Sequence, residues 1–334
     1  MLNTYGGRDC WYTQHREGKL KKFEIRISKF DPSADGQNSN VQMIKTVSNF
    51  VFWSFEFVSG FGFRASDLYF MIKIFSKYIK IWWIMSASST QIALYSRFSA
   101  GLFVIGKLLR FAFFFFFLVI LLSKTNTIAG YSFWQVIFFF ATFNLVDIVA
   151  QLFLREVYRF RSYVVSGDFD YFLTKPLSPL FRTLLGGSDI LDLPMLFLSI
   201  LFVVLAAVQM EAVSFAGVLL YIVLIANAFL IALAFHIAVV ALALLTTEID
   251  NALWMYRDLT AMGRLPIDIY QEPLRGILTF VIPVGIMITF PSKALMGLLS
   301  IQSVAISLLV GALLFYLSIK FWQYSIKHYS SASS

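Results

Sequence analysis

From residue 104 onward the chain is built of long uncharged apolar runs separated by short polar stretches. A soluble helical protein would instead interleave apolar and polar residues at the helical period. The runs are Val104–Leu122, Phe133–Leu154, Ile190–Val208, Phe215–Leu245, Ile277–Leu295 and Ile301–Trp322. Each is about as long as the ~20 residues that a helix needs to cross the hydrocarbon layer. Phe215–Leu245 is longer: at ~1.5 Å per residue it reaches on the order of 45 Å, so it must tilt strongly or project beyond the bilayer. The pattern predicts an all-α fold, a polytopic integral membrane protein with about six transmembrane helices in residues 104–334.

Ahead of these runs the pattern changes. In residues 71–103, Lys73, Lys77 and Lys80 fall on one helical stripe, with Phe75, Ile79, Trp82 and Trp83 around the other side. This predicts an amphipathic interfacial helix, an elbow anchored by its tryptophans. Residues 1–70 hold charged stretches such as Arg16–Lys22 and a Ser/Asp/Gly/Asn-rich run, Asp31–Asn40. They read as a poorly ordered, dispensable N-terminal extension, with Met71 opening the part that reads as membrane protein. Val47–Phe63 could form a weakly apolar helix, interrupted by Glu56 and two glycines. The order of basic, apolar and small residues is wrong for a signal peptide.

Composition sharpens this picture. With 59% hydrophobic residues, 14% charged and 37 Phe in 334 residues, no single soluble core could hold the apolar side chains. The net charge of +8 is not a nucleic-acid footprint, because the basic residues flank the apolar runs and no recognition motif accompanies them. Membrane lipid is the expected surrounding. Arg155, Arg159, Arg161, Lys175, Arg182, Arg257 and Arg264 follow the second and fourth runs, against Lys124 and Lys293 in the alternate loops. The bias predicts that the first set and both termini are cytoplasmic. Lys320 and Lys327 agree, as do Lys107 and Arg110 if they snorkel toward that side. Cys10 is the only cysteine, and His15, His236 and His328 are too scattered to hold a metal.

The chain has no G-x-x-x-x-G-K-[ST] phosphate loop, and Gly186–Gly187 is followed by Ser188–Asp189 without a lysine. It also lacks H-E-x-x-H and G-x-S-x-G, so no catalytic residue or cofactor of its own is expected. The informative loop is 155–189. Ser166 can cap a short helix, with Asp168 and Asp170 at its positive end, Lys175 at its negative end and Pro176 stopping it; Ser178 caps a second, with Pro179 at its first position. Phe169, Tyr171 and Phe172 on such a knob need something to pack on, and a soluble partner would serve. A second segment, Arg257–Arg275, leads into Leu278–Pro291, where Pro283 must kink the helix and Pro291 should end it. Arg264, Pro266, Asp268, Tyr270, Pro283 and Pro291 are therefore gate or hinge candidates. Asp147, Glu156, Asn227 and His236 are the remaining polar groups in or bordering the apolar runs, and they are too isolated for a proton relay.

Gly167, Asp168, Asp170, Leu173, Pro176, Leu177 and Pro179 match the run Gly-Asp-x-Asp-x-x-Leu-x-x-Pro-Leu-x-Pro. Arg264, Pro266, Asp268, Tyr270 and Leu278–Pro283 match a second, Arg-x-Pro-x-Asp-x-Tyr followed by Leu-Thr-Phe-Val-Ile-Pro, with Leu265 standing where an aromatic is expected. On these motifs the chain, from about Ile72 to Lys327, resembles the membrane subunits of bacterial type-2 ATP-binding-cassette transporters. The resemblance implies an exporter of the bacterial cytoplasmic (inner) membrane. Two permease subunits, identical or related, would form the pathway, and a separate ATPase subunit would bind ATP and Mg. It also implies that Gly167, Asp168, Phe169, Asp170, Phe172, Pro176 and Pro179 form the coupling interface. The alternative reading is a stand-alone secondary transporter or an integral membrane enzyme.

Overall fold

In a computed structural model of the chain, residues 65–210, 213–246 and 250–330 are described, and the expectations for residues 1–64, including Val47–Phe63, lie outside them. The apolar runs become helices because, away from water, a helix is the one local structure that satisfies every backbone N–H and C=O within the segment. The chain runs through α1 (Ala65–Leu94), α2 (Arg97–Thr125), α3 (Phe133–Leu154), α4 (Phe160–Val165), α5 (Phe169–Thr174), α6 (Pro179–Leu185) and α7 (Leu193–Val208). It continues through α8 (Phe215–Thr246), α9 (Asp250–Ala261), α10 (Leu274–Val281), α11 (Gly285–Leu295) and α12 (Ile301–Lys327). No strand occurs among the described residues.

Burial divides the long helices into two kinds. In α3, continued through α4, 78% of the apolar window is buried, against 11% in α2 and 22% in each of α7 and α12. The outer helices therefore turn phenylalanines and leucines such as Phe113, Phe197 and Leu309 outward. Such continuous apolar surface is stable only against lipid or another membrane-embedded chain. This is a polytopic all-α membrane protein. Its two ends are called here the knob end, where α4–α6 lie, and the far end.

The 32-residue α8 outruns the bilayer, and its last turns, Ile237 to Leu244, pack with Val157, Phe160 and Phe169 beneath the knob. Inside the bundle α8 is joined to α12 by Asn227, whose Nδ2 donates to the Ser307 carbonyl (2.9 Å) and hydroxyl (3.1 Å).

Three boundaries differ from the sequence reading. The elbow was expected over residues 71–103, but α1 ends at Leu94, and after a bend at Tyr95–Ser96 the first spanning helix begins at Arg97. The run Ile277–Leu295 is not one crossing: it is the pair α10 and α11, bent by 76°. The segment Arg257–Arg275 is not a loop at the knob end. Leu253 in α9 packs in the cluster beneath the knob, whereas Asp268, fifteen residues on, is bonded to Tyr131 and Lys293 at the far end. The chain thus crosses the bundle between these points. Asp268 accepts hydrogen bonds from Tyr131 (2.9 Å) and Lys293 (2.8 Å), joining the stretch before α10 to the end of α11. At the bend, Val284 to Ile288 pack on Phe143 and Ala228, midway along α3 and α8. The bent pair enters from the far end and returns to it.

Candidate functional site

The knob is braced from below. Ser178 caps α6, its hydroxyl accepting from the Phe181 N–H (3.4 Å), with Pro179 at the first helical position where no N–H is required. Gly167 has φ +78°, a conformation that side-chain-bearing residues rarely adopt, and it turns the chain from α4 into α5. Lys175 is extended, as the residue before a proline prefers, and α5 stops there. Ser166 does not cap α5 as expected; its hydroxyl donates to Asp168 (2.7 Å).

The aromatics divide between inside and outside, which corrects the expectation that all three face a partner. Phe169 is fully buried, with Phe160, Trp322 and Tyr329 around its ring at 5.3, 6.5 and 5.1 Å. Phe172 is half-buried against Tyr163, with the Arg182 guanidinium over its ring at 5.0 Å. Only Tyr171 projects, 66% exposed, alongside Val165, Asp168, Lys175 and Pro176. Asp170 accepts from the Tyr329 hydroxyl (3.2 Å). Burial and that carboxylate push the Tyr329 hydroxyl up to about 12, so it remains a donor at physiological pH.

A second brace centres on Glu156, 2% exposed, which accepts from Tyr163 (2.9 Å) and from Arg159 and Arg182 (both 3.4 Å). It ties α6 to the turn after α3. The elbow joins the same assembly through one stripe: Trp82 donates to Ser188 (2.9 Å), and Tyr78 meets Phe181 edge-on at 4.7 Å. Phe75, Ile79 and Trp83 on the next stripe, and Lys73, Lys77 and Lys80 on the third, stay exposed.

Of the second candidate set, Asp268 holds the two bonds already described, and Tyr270 donates to the Met262 carbonyl (3.0 Å). Burial and the Asp268 carboxylate raise the Tyr131 hydroxyl above its ordinary value, which keeps it donating. Pro266 is buried beside Ile267, whose N–H donates to the Thr289 hydroxyl (3.3 Å). Gly263 lets this strand of chain lie on α11, since a Cβ there would come within 2.3 Å of Ile288 Cδ1. Pro283 sits at the buried bend, between two wide π-helical turns, Ile277–Val281 and Gly285–Thr289. Pro291 does not end the helix as expected: the wide π-helical turns Gly285–Thr289 pass into the α-helical piece Phe290–Leu295, which continues through it. Arg264 stands apart from these residues, midway through the bundle, its guanidinium 5.4 Å from the ring centres of both Phe114 and Phe143.

Sequence reasoning missed an internal polar chain. Asp147 accepts from Gln151 (2.8 Å), whose carbonyl oxygen accepts from Lys107 (3.2 Å), and Lys107 makes an ion pair with the buried Asp192. Lys107 would agree with the orientation expected from the sequence if it snorkelled toward the cytoplasmic side; it is paired with buried Asp192 instead. The one available signal was polar residues at i and i+4 in the second run, Asp147 and Gln151, which place both on one helix face. His236 bonds the Ala232 carbonyl one turn back (2.7 Å), beside Tyr158 and Tyr256, in agreement with a structural role.

A bundle with lipid-facing outer helices, a stiff extramembrane knob and a re-entrant hairpin defines a multi-pass membrane protein. Residues 108–333 match the family described as ABC-2 family transporter protein, and the chain belongs to that family. It is a permease component of an ATP-binding-cassette transporter. No curated protein and no solved structure matches it.

Proposed function

We propose that this chain forms the translocation pathway of an ATP-driven exporter, as a dimer with an identical or related permease, and that a separate ATPase subunit docks on its knob. The observation that carries the reading is the division of the knob aromatics. The interior of α5 is locked to α12 through the contact of Phe169 with Trp322 and to the residues just after α12 through Tyr329, while Val165, Asp168, Tyr171 and Lys175 face outward. A contact can drive a conformational change only if its free energy differs between two states, and a stiff element joined to a spanning helix is suited to transmit such a difference. ATP and Mg are bound by the partner in this reading. The knob end is then cytoplasmic in the bacterial inner membrane, with both termini on that side. The exposed apolar and basic stripes of α1 suit a helix lying at that surface.

The same reading assigns Gly167, Asp168, Asp170, Pro176 and Pro179 to shaping the coupling surface. It assigns Arg264, Pro266, Asp268, Tyr270, Pro283 and Pro291 to a gate or hinge that runs from mid-bundle, at Arg264 and Pro283, to the far end, at Asp268. Co-expression with candidate ATPase subunits and purification in mild detergent tests the docking: the complex should survive purification and fall apart in Tyr171→Ala with Lys175→Glu. A stand-alone secondary transporter would purify without any ATPase and transport without ATP.

A further inference from the structure

A cavity of about 580 Å³ lies among α2, α3 and the stretch after α9, lined by Lys107, Arg110, Arg264 and Asp147 together with phenylalanines of α2. Its depth makes this composition notable. Arg264 is level with Phe114 and Phe143, near the middle of α2 and α3, where an unneutralised charge is strongly disfavoured. Lys107 is matched by Asp192, and Asp147 offsets one arginine at a distance. Three cations against two carboxylates leave one positive charge. Neither Arg110 nor Arg264 has a carboxylate within ion-pair distance among the described residues, and the two guanidinium groups repel each other. The outer wall is open to the side, for Phe113 and Phe117 are 71% and 51% exposed on the outer surface of α2.

We propose that this cavity binds a monoanionic lipid entering sideways from the bilayer, its phosphodiester between Arg110 and Arg264 and its acyl chain along Phe113 and Phe117. The charge count selects a single negative charge. The arginines can engage phosphate oxygens in the forked geometry that lysine lacks. The exposed phenylalanines select a head that carries a tail, over a free anion.

The test is thermal stability and lipid affinity of the full chain in detergent, titrated with dioleoylphosphatidylglycerol, dioleoylphosphatidylcholine and glycerol 3-phosphate. ATP and partner subunits are left out, so failure here is distinct from failure of the coupling reading. Phosphatidylglycerol should bind at least roughly tenfold more tightly than phosphatidylcholine, a preference of ~1.4 kcal/mol. Glycerol 3-phosphate should neither stabilise nor compete. The Arg110→Gln/Arg264→Gln variant should lose that preference, and Arg110→Lys/Arg264→Lys should keep part of it. If the glutamine variant does not fold, Phe113→Ala/Phe117→Ala serves instead, since it alters only exposed wall and should weaken phosphatidylglycerol binding. Equal affinity for the two lipids would overturn the proposal. So would competition by glycerol 3-phosphate at similar concentration, or unchanged phosphatidylglycerol preference in the glutamine variant.

Discussion

Phe169→Ala separates the two tasks of the knob. Phe169 is fully buried among Phe160, Phe172, Trp322 and Tyr329, so truncation removes a whole ring from a packed site. Loss of a buried Phe typically costs ~3–5 kcal/mol. Because α5 is only six residues long and is bounded by Gly167 and Pro176, the cost should fall on its attachment to α12 more than on the bundle. At ~1.4 kcal/mol per factor of ten, the docked form of α5 should lose roughly 100-fold or more relative to the undocked form. Tyr171→Ala is the opposite case: the side chain projects from the knob, and its removal should change stability by no more than about 0.5 kcal/mol. The assay is permease-dependent ATPase activity of the partner in nanodiscs, beside the thermal stability of each variant. Both variants should lose stimulation, only Phe169→Ala should melt early, and Phe169→Leu, which keeps most of the volume, should couple nearly normally. Full stimulation in Phe169→Ala despite a lowered melting point would refute the idea that a rigid link to α12 carries the signal.

Lys107→Met alone should destabilise the protein by ~3–5 kcal/mol, because it strands the buried Asp192, whereas adding Asp192→Leu should restore most of the melting temperature. In a Cys10→Ser background, cysteines placed at Glu272 and Leu298 should react with an impermeant maleimide from the same side of the membrane, and one at Lys175 from the other. Labelling of position 272 together with 175 would contradict the re-entrant arrangement. Asp268→Asn should weaken its ties to Lys293 and Tyr131 and speed hydrogen exchange in Gly285–Leu295, with the knob unchanged. We propose that removing residues 1–64, ahead of α1, leaves insertion and helix packing intact, which protease resistance of the truncated chain would show.

How much the sequence could say followed from what surrounds each segment. Spans such as Phe133–Leu154 and Ile301–Trp322 were legible because lipid or a dry core demands apolar residues without interruption. α9 was not legible: it carries Arg257 and Asp258, and it is held by protein contacts, with Tyr256 stacked 4.1 Å from Phe235. Ile277–Leu295, apolar enough to read as one straight crossing, is instead bent at Pro283 by 76°. The run read as the fifth crossing is a broken pair, and the polar segment before it, read as a loop, runs from the knob end to the far end. In the knob, Ser178 and Pro179 announced α6 through local chemistry. A six-residue helix has no periodicity from which to choose its buried face, and the residues that claim Phe169, Trp322 and Tyr329, lie more than 150 positions away. Arg264 was affected most. Counted as one more positive charge on a cytoplasmic loop it had no meaning beyond orientation; placed between Phe114 and Phe143, near the middle of α2 and α3, it becomes a cation that lipid alone would not tolerate. A charge at that depth needs a counter-charge, and no carboxylate among the described residues lies within ion-pair distance of Arg264.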